Sequence, residues 1–138
     1  MITIDDVMML KFPKFGDERG ELVVIESGDN KLLSFDVKRV FYVYGSDSGI
    51  VRGNHANKNS RFLLINLKGH TKIKIIDQWG HSKTFILDNP NEGLLLPQMI
   101  WKEMYDFSHD SVLLVLSSHH YDENEYINNI ESFLLAGR

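Results

Sequence analysis

The sequence predicts an all-β fold, a small barrel or sandwich closed by a C-terminal helix. Three observations carry this reading. Short runs rich in Val, Ile, Leu, Phe and Tyr recur along the chain, clusters of turn-forming residues separate them, and one run alternates polar and apolar side chains with period two. In order, the predicted strands are Glu21–Glu26, Lys38–Tyr44, Arg61–Leu67, Thr71–Asp77, Ser82–Leu87, Gly93–Leu96 and Ser111–Ser117.

The turn segments include Ser27-Gly28-Asp29-Asn30, Gly45-Ser46-Asp47-Ser48-Gly49, Trp79-Gly80 and Asp88-Asn89-Pro90. Arg61–Leu67 and Thr71–Asp77 flank Lys68-Gly69-His70 and predict a hairpin. Thr71-Lys72-Ile73-Lys74-Ile75 supplies the alternation of a half-buried strand. The tail Glu123–Leu135 predicts a helix, because Tyr126, Ile127, Ile130, Phe133 and Leu134 fall on one broad stripe.

A length of 138 residues fits a single domain, residues 1–138, with a moderate core. Hydrophobic content of 43% with 25% charged residues is that of a folded globular chain rather than a disordered one. A net charge of −4 argues against broad capture of nucleic acid, yet leaves room for a small anionic ligand held by local cations. With no cysteine there is neither a disulfide framework nor a thiolate metal site, so cytoplasmic residence is expected. The opening Met1-Ile2-Thr3-Ile4-Asp5-Asp6 lacks a basic region followed by an apolar core, and no apolar run is long enough for a bilayer.

Arg52-Gly53-Asn54-His55-Ala56-Asn57-Lys58 concentrates chemistry in seven residues. On a strand, His55 and Asn57 point to the same face. A barrel would aim that face inward, where a shielded imidazole can remove a proton from a bound molecule. His55 can equally be a structural histidine. Its flanking cations favour the catalytic reading: Arg52 and Lys58 attract an anionic substrate and depress the imidazole pKa, keeping the base free. Lys38 and Arg39 either extend this patch or form a solvated strand end.

A metal site is not expected, and no cofactor is. Barrel metal sites need three or four converging His or carboxylate ligands, and Asn57 is a poor one. His119 and His120 are adjacent and face opposite sides, so they are read as surface or lip residues. Trp101 and Tyr121 are candidate walls for a ring-shaped ligand, or core filler. Arg19-Gly20 is a turn entering a strand.

Taken together, Asp17-Glu18-Arg19-Gly20, Lys38-Arg39-Val40-Phe41-Tyr42-Val43, the Arg52–Lys58 stretch, Trp101-Lys102-Glu103-Met104, Asp106-Phe107-Ser108, Leu113-Leu114-Val115-Leu116, Tyr121-Asp122-Glu123 and Tyr126-Ile127 form an ordered set over most of the chain. The chain resembles the nucleotide-sugar 3,4-ketoisomerases, WxcM-like cupin enzymes acting on dTDP-4-keto-6-deoxyglucose. The resemblance implies a double-stranded β-helix (cupin jelly roll) with a short C-terminal helix, working without metal as a homodimer with exchanged N-terminal strands. It implies movement of the ketone from C4 to C3 through an enediol or enediolate. The product would feed 3-amino-3,6-dideoxyhexoses for bacterial surface glycans such as lipopolysaccharide O-antigen, or for antibiotics.

The resemblance makes His55 the general base. It gives Arg39, Arg52 and Lys58 the task of holding the ligand and steadying negative charge, and Tyr42 a proton-relay or hydroxyl contact. Arg19 and Lys102 occupy positions that influence whether C4 ends galacto or gluco; Arg19 matches the galacto pattern and Lys102 matches neither. Asn57 stands where the family has a second histidine, and an amide cannot exchange a proton near neutrality. Either the chain is a weakened form, or another group has taken over the relay. The weakened-form reading expects Asn57→His to raise turnover at least about tenfold. A non-catalytic sugar-nucleotide-binding cupin and a dTDP-sugar epimerase are the alternatives.

Overall fold

The computed structural model describes residues 1–137. Twelve strands run β1 Met8–Lys11, β2 Lys14–Asp17, β3 Gly20–Val23, β4 Arg39–Tyr44, β5 Arg52–Asn57, β6 Phe62–Lys68, β7 Thr71–Ile76, β8 Ser82–Leu87, β9 Glu92–Leu96, β10 Trp101–Tyr105, β11 Val112–Ser117 and β12 Tyr126–Ile127, followed by helix α1 Ile130–Ala136. One antiparallel sheet has the order β1-β9-β6-β11-β4 and a second β12-β5-β10-β7-β8, while β2 and β3 form a separate hairpin. This is the expected jelly roll.

Apolar side chains from both sheets meet between them. Leu64, Leu94, Leu113 and Val115 of the first sheet pack with Ile73, Ile75, Leu87 and Met104 of the second. Each sheet also has a covered outer face. Leu33 and Phe35, from the segment after β3, bury Leu63, Ile65 and Leu116. Phe133 of α1 covers Ala56 and Trp101. Double-sided burial explains why β6 reads as a continuous apolar run rather than an alternating one.

The hairpin expected around Gly69 is not formed. β6 pairs with β9 and β11, and β7 pairs with β10 and β8, so the chain crosses between sheets at Lys68-Gly69-His70. Both strands carry apolar faces, and stacking them across the sandwich buries more surface than joining them edge to edge. Gly69 makes the corner with φ 68 and lies so close to the Ser108 hydroxyl that a Cβ has no room. The hairpin of this region is β7–β8 instead, closed over Asp77, whose carboxylate accepts from the Trp79 and His81 backbone amides.

The predicted C-terminal helix is shorter than Glu123–Leu135. Asp122 caps a separate 3-10 turn at Glu123–Glu125, and Tyr126–Ile127 then pair with Asn57 and Ala56 of β5. Asn129 caps α1 by accepting from the Ser132 amide at 3.0 Å. Sheet pairing takes the first apolar residues of the stripe, leaving only Ile130 onward helical. No helix among the described residues is long and apolar enough to cross a membrane.

Candidate active site

The site is built on a β-bulge. Lys102 of β10 stands opposite His55, but Glu103 stands opposite Gly53, so one step on β10 spans two on β5. Asn54 is the extra residue, and Gly53 and Asn54 adopt φ 86 and φ 57. Such bulges bend a strand and re-aim its side chains. Glycine is required at 53 twice over: its φ is positive, and a Cβ would sit 2.8 Å from the Lys102 carbonyl oxygen. Gly53→Ala is therefore expected to cost about 2 kcal/mol, within the range for one strained residue. It should also lower turnover by displacing His55, as thermal melts and rate assays on one preparation would show.

The bulge fixes the imidazole. His55 Nδ1 donates to the Gly53 carbonyl at 2.9 Å; a carbonyl can only accept, so Nδ1 carries the hydrogen and Nε2 keeps its lone pair. The ring packs on Tyr126 with centroids 4.7 Å apart. His55 lines a cavity of about 420 Å³ together with Tyr42, Arg52, Phe62, Lys102 and Tyr126. Burial, and then the positive charge of Lys102, lower its pKa to about 4, against the opposing hydrogen bond to Gly53 and the charge of Glu125. Near neutrality the ring is an uncharged base.

Lys102 lines the same cavity. It is only 4% exposed, and its Nζ donates to Asn57 Oδ1 at 3.1 Å while lying 4.3 Å from the centre of the Phe62 ring. Burial lowers its pKa to about 7, with Glu125 raising it and Arg39 lowering it. Asn57 is buried beside the ammonium, does not itself line the cavity, and leaves its Nδ2 without a partner.

Glu125 anchors this side of the site. Its carboxylate accepts from the Asn59 amide at 3.0 Å, the Ser60 amide at 2.7 Å and the Ser60 hydroxyl. Burial pushes its pKa up, but the Ser60 and Asn59 hydrogen bonds outweigh that and hold it below the ordinary carboxylate value.

Of the residues expected from sequence, His55, Arg52, Tyr42 and Lys102 share the cavity wall. Arg52 Nε donates to Ser46 Oγ at 3.3 Å, and Tyr42 stacks on Tyr44 with centroids 6.1 Å apart. Arg39 does not reach the cavity: it lies over Phe41 and Tyr121 and donates to Ser117 Oγ at 3.2 Å. Lys58 is exposed outside the cavity. Arg19 sits at the β2–β3 hairpin, paired with Asp17 at 2.7 Å and away from the cavity of its own chain.

Trp101 is not a ligand wall. Alternation along β10 turns it away from Lys102, and it packs against Phe133 with centroids 6.0 Å apart. Tyr121 is exposed and meets the edge of Tyr126. His119 and His120 are exposed. Tyr126, part of the resemblance and assigned to a helical stripe, was given no site role from sequence, yet it lines the cavity. The acid-rich Asp122-Glu123-Asn124-Glu125 directly before it, which interrupts the helical stripe, was the available signal.

A jelly roll with a histidine and a buried lysine on neighbouring strands of one cavity defines a small protein of the cupin type. Residues 5–138 match the family described as FdtA: WxcM-like, C-terminal, and the chain belongs to that family. It is 38% identical over 125 residues, 91% of this chain and 88% of the other, to TDP-4-oxo-6-deoxy-alpha-D-glucose-3,4-oxoisomerase of Aneurinibacillus thermoaerophilus. Among solved structures it is similar to the sugar 3,4-ketoisomerase QdtA of Thermoanaerobacterium thermosaccharolyticum in complex with TDP (TM-score 0.91, 36% identity, 96% of this chain and 95% of that one). A histidine-to-asparagine mutant of the same QdtA, in complex with TDP-4-keto-6-deoxyglucose, aligns with TM-score 0.88 and 34% identity over 95% of this chain and 93% of that one. The chain is an enzyme of the isomerase class.

Proposed function

We propose that the chain is a dTDP-4-keto-6-deoxy-D-glucose 3,4-ketoisomerase. The observation that carries this reading is His55: a half-buried imidazole with Nδ1 tied to Gly53 and Nε2 free, on the wall of a cavity in a chain of this family. The base removes the proton from C3, beside the C4 ketone, and the electron pair forms the C3–C4 double bond. Arg52 and Tyr42, on the same wall, hold oxygen-rich parts of the sugar nucleotide and steady the enediolate. Return of the proton at C4, with the C3 hydroxyl proton passing to O4, completes the transfer. The galacto product is preferred on Arg19 alone.

A homodimer that exchanges its N-terminal hairpin suits the exposed surfaces. β4 is the last strand of its sheet, with Val40, Tyr42 and Tyr44 exposed, and the hairpin region exposes Phe15, Leu22 and Val24. Exchange would carry Arg19 from its own chain towards a partner's cavity and cover both apolar surfaces.

The buried, non-titrating Asn57 favours a second reading, a protein that binds the sugar nucleotide without turning it over. Incubation with dTDP-4-keto-6-deoxyglucose, followed by product NMR, separates the two. A ketone at C3 is expected. An unmoved ketone with intact TDP binding supports the second reading, inversion at C3 or C5 with the ketone still at C4 supports an epimerase, and a clean gluco product removes the galacto preference.

A further inference from the structure

We infer that Lys102 replaces the missing second histidine as the proton relay of the reaction, exchanging protons with the two sugar oxygens while His55 exchanges them with the two carbons. The inference rests on the ketoisomerase reading above. It stands on geometry. Lys102 Nζ is the nitrogen that both touches Asn57, at 3.1 Å from Oδ1, and belongs to the residue lining the cavity beside His55. Lys102 and His55 are cross-strand partners at the bulge. The asparagine, itself outside the cavity wall, acts as a rest for the ammonium rather than as a proton carrier.

The protons and electrons balance over one cycle. In the first half, His55 Nε2 takes the proton from C3, the released pair forms the C3–C4 double bond, and the carbonyl pair moves onto O4. O4 takes a proton from the Lys102 ammonium, leaving a neutral enediol, a neutral amine and an imidazolium. In the second half, the amine takes the proton from O3 and that oxygen forms the C3 carbonyl. The double-bond pair then takes a proton at C4 from the imidazolium. Both side chains finish as they began.

A lysine suits this task only when its two protonation states are close in free energy. Several groups face Lys102: His55 and Asn57 from β5, Phe62 from β6, Arg39 from β4 and Glu125 from the turn before β12. Burial, with Arg39, weakens the ammonium while Glu125 supports it, and the result is a pKa of about 7. The adjacent imidazole at about 4 is already neutral there, so base and acid are both in their working forms between those two values.

The test is the rate and pH profile of Lys102→Met and Lys102→Arg beside the native chain. Methionine keeps the volume and removes the charge; arginine keeps a cation that cannot give up its proton near neutrality. Both are expected to lose about 10²-fold or more in turnover, with TDP affinity retained. The native profile of kcat/KM is expected to fall on the alkaline side near pH 7, and that limb is expected to vanish in both variants. An Arg variant within about tenfold of native overturns the inference, because a merely structural or electrostatic lysine is rescued by arginine. An Asn57→His chain that gains tenfold or more overturns it too, since that is the result expected of a relay left weakened. A native chain that moves the ketone while Lys102→Arg does so equally well refutes the relay and keeps the ketoisomerase. A native chain that binds TDP and moves no ketone refutes both.

Discussion

His55→Gln is expected to isomerise dTDP-4-keto-6-deoxyglucose about 10²–10⁴-fold more slowly than the native chain, the range for a lost general base, with little change in affinity for thymidine diphosphate. Glutamine is the informative replacement. Its amide can still donate to the Gly53 carbonyl that now holds Nδ1, so the bulge keeps a partner, but it cannot take a proton from carbon. The loss should therefore appear in kcat and not in binding. Product NMR against time gives the rate, and calorimetric titration with TDP gives the affinity. A rate within about tenfold of native would remove His55 from the chemistry. Equal losses of rate and of TDP binding would make it a structural histidine instead.

Glu125→Ala is expected to lower stability by about 3 kcal/mol, because it strips partners from buried donors rather than removing a single surface contact. Among the described residues the Ser60 amide and hydroxyl have no other acceptor, and the Asn59 amide loses its own. For a domain of this size that corresponds to a fall in Tm of roughly 10 °C. The same change removes the anion that supports the charged forms of both His55 and Lys102. Both groups should then titrate at lower pH, moving the alkaline limb of kcat/KM downward. Because the Glu125 carboxyl lies below its ordinary pKa when folded, its contribution is present above that ordinary value and fades as pH falls through the folded one. A Glu125→Ala chain that melts with the native one at neutral pH would show the network to be replaceable by water.

Both expectations concern groups that the sequence showed unequally. His55 was legible because a histidine between Arg52 and Lys58, after a glycine, is an unusual local composition. Glu125 was hidden inside a pattern that looked helical, since Tyr126, Ile127, Ile130 and Phe133 do share a stripe. The stripe is divided between a strand and a helix by pairing with β5, a contact nearly 70 residues away along the chain. The supposed hairpin at Gly69 failed for a related reason. Turn chemistry and strand pattern are the same whether a chain folds back on its neighbour or crosses to the opposite sheet. Trp101 likewise carried no mark of which face it takes. An aromatic beside an apolar run serves a ligand or a core equally well, and here α1 supplies the core.

What the sequence by itself determined is the class: many short strands with regular punctuation, a cluster of base and cations on one of them, and an ordered set of motifs that names the family. These are local or cumulative signals, and each is written within a few residues. Tertiary structure alone decided how the site residues meet and what charge they carry. Lys102 lies 47 positions from His55 by number, and only the pairing of β10 with β5 makes them neighbours. Its charge state follows from burial and from Glu125 and Arg39, each on a different segment. A proton's affinity for a side chain depends on the dielectric and the charges within several ångströms, and that environment is assembled only when the strands close around it.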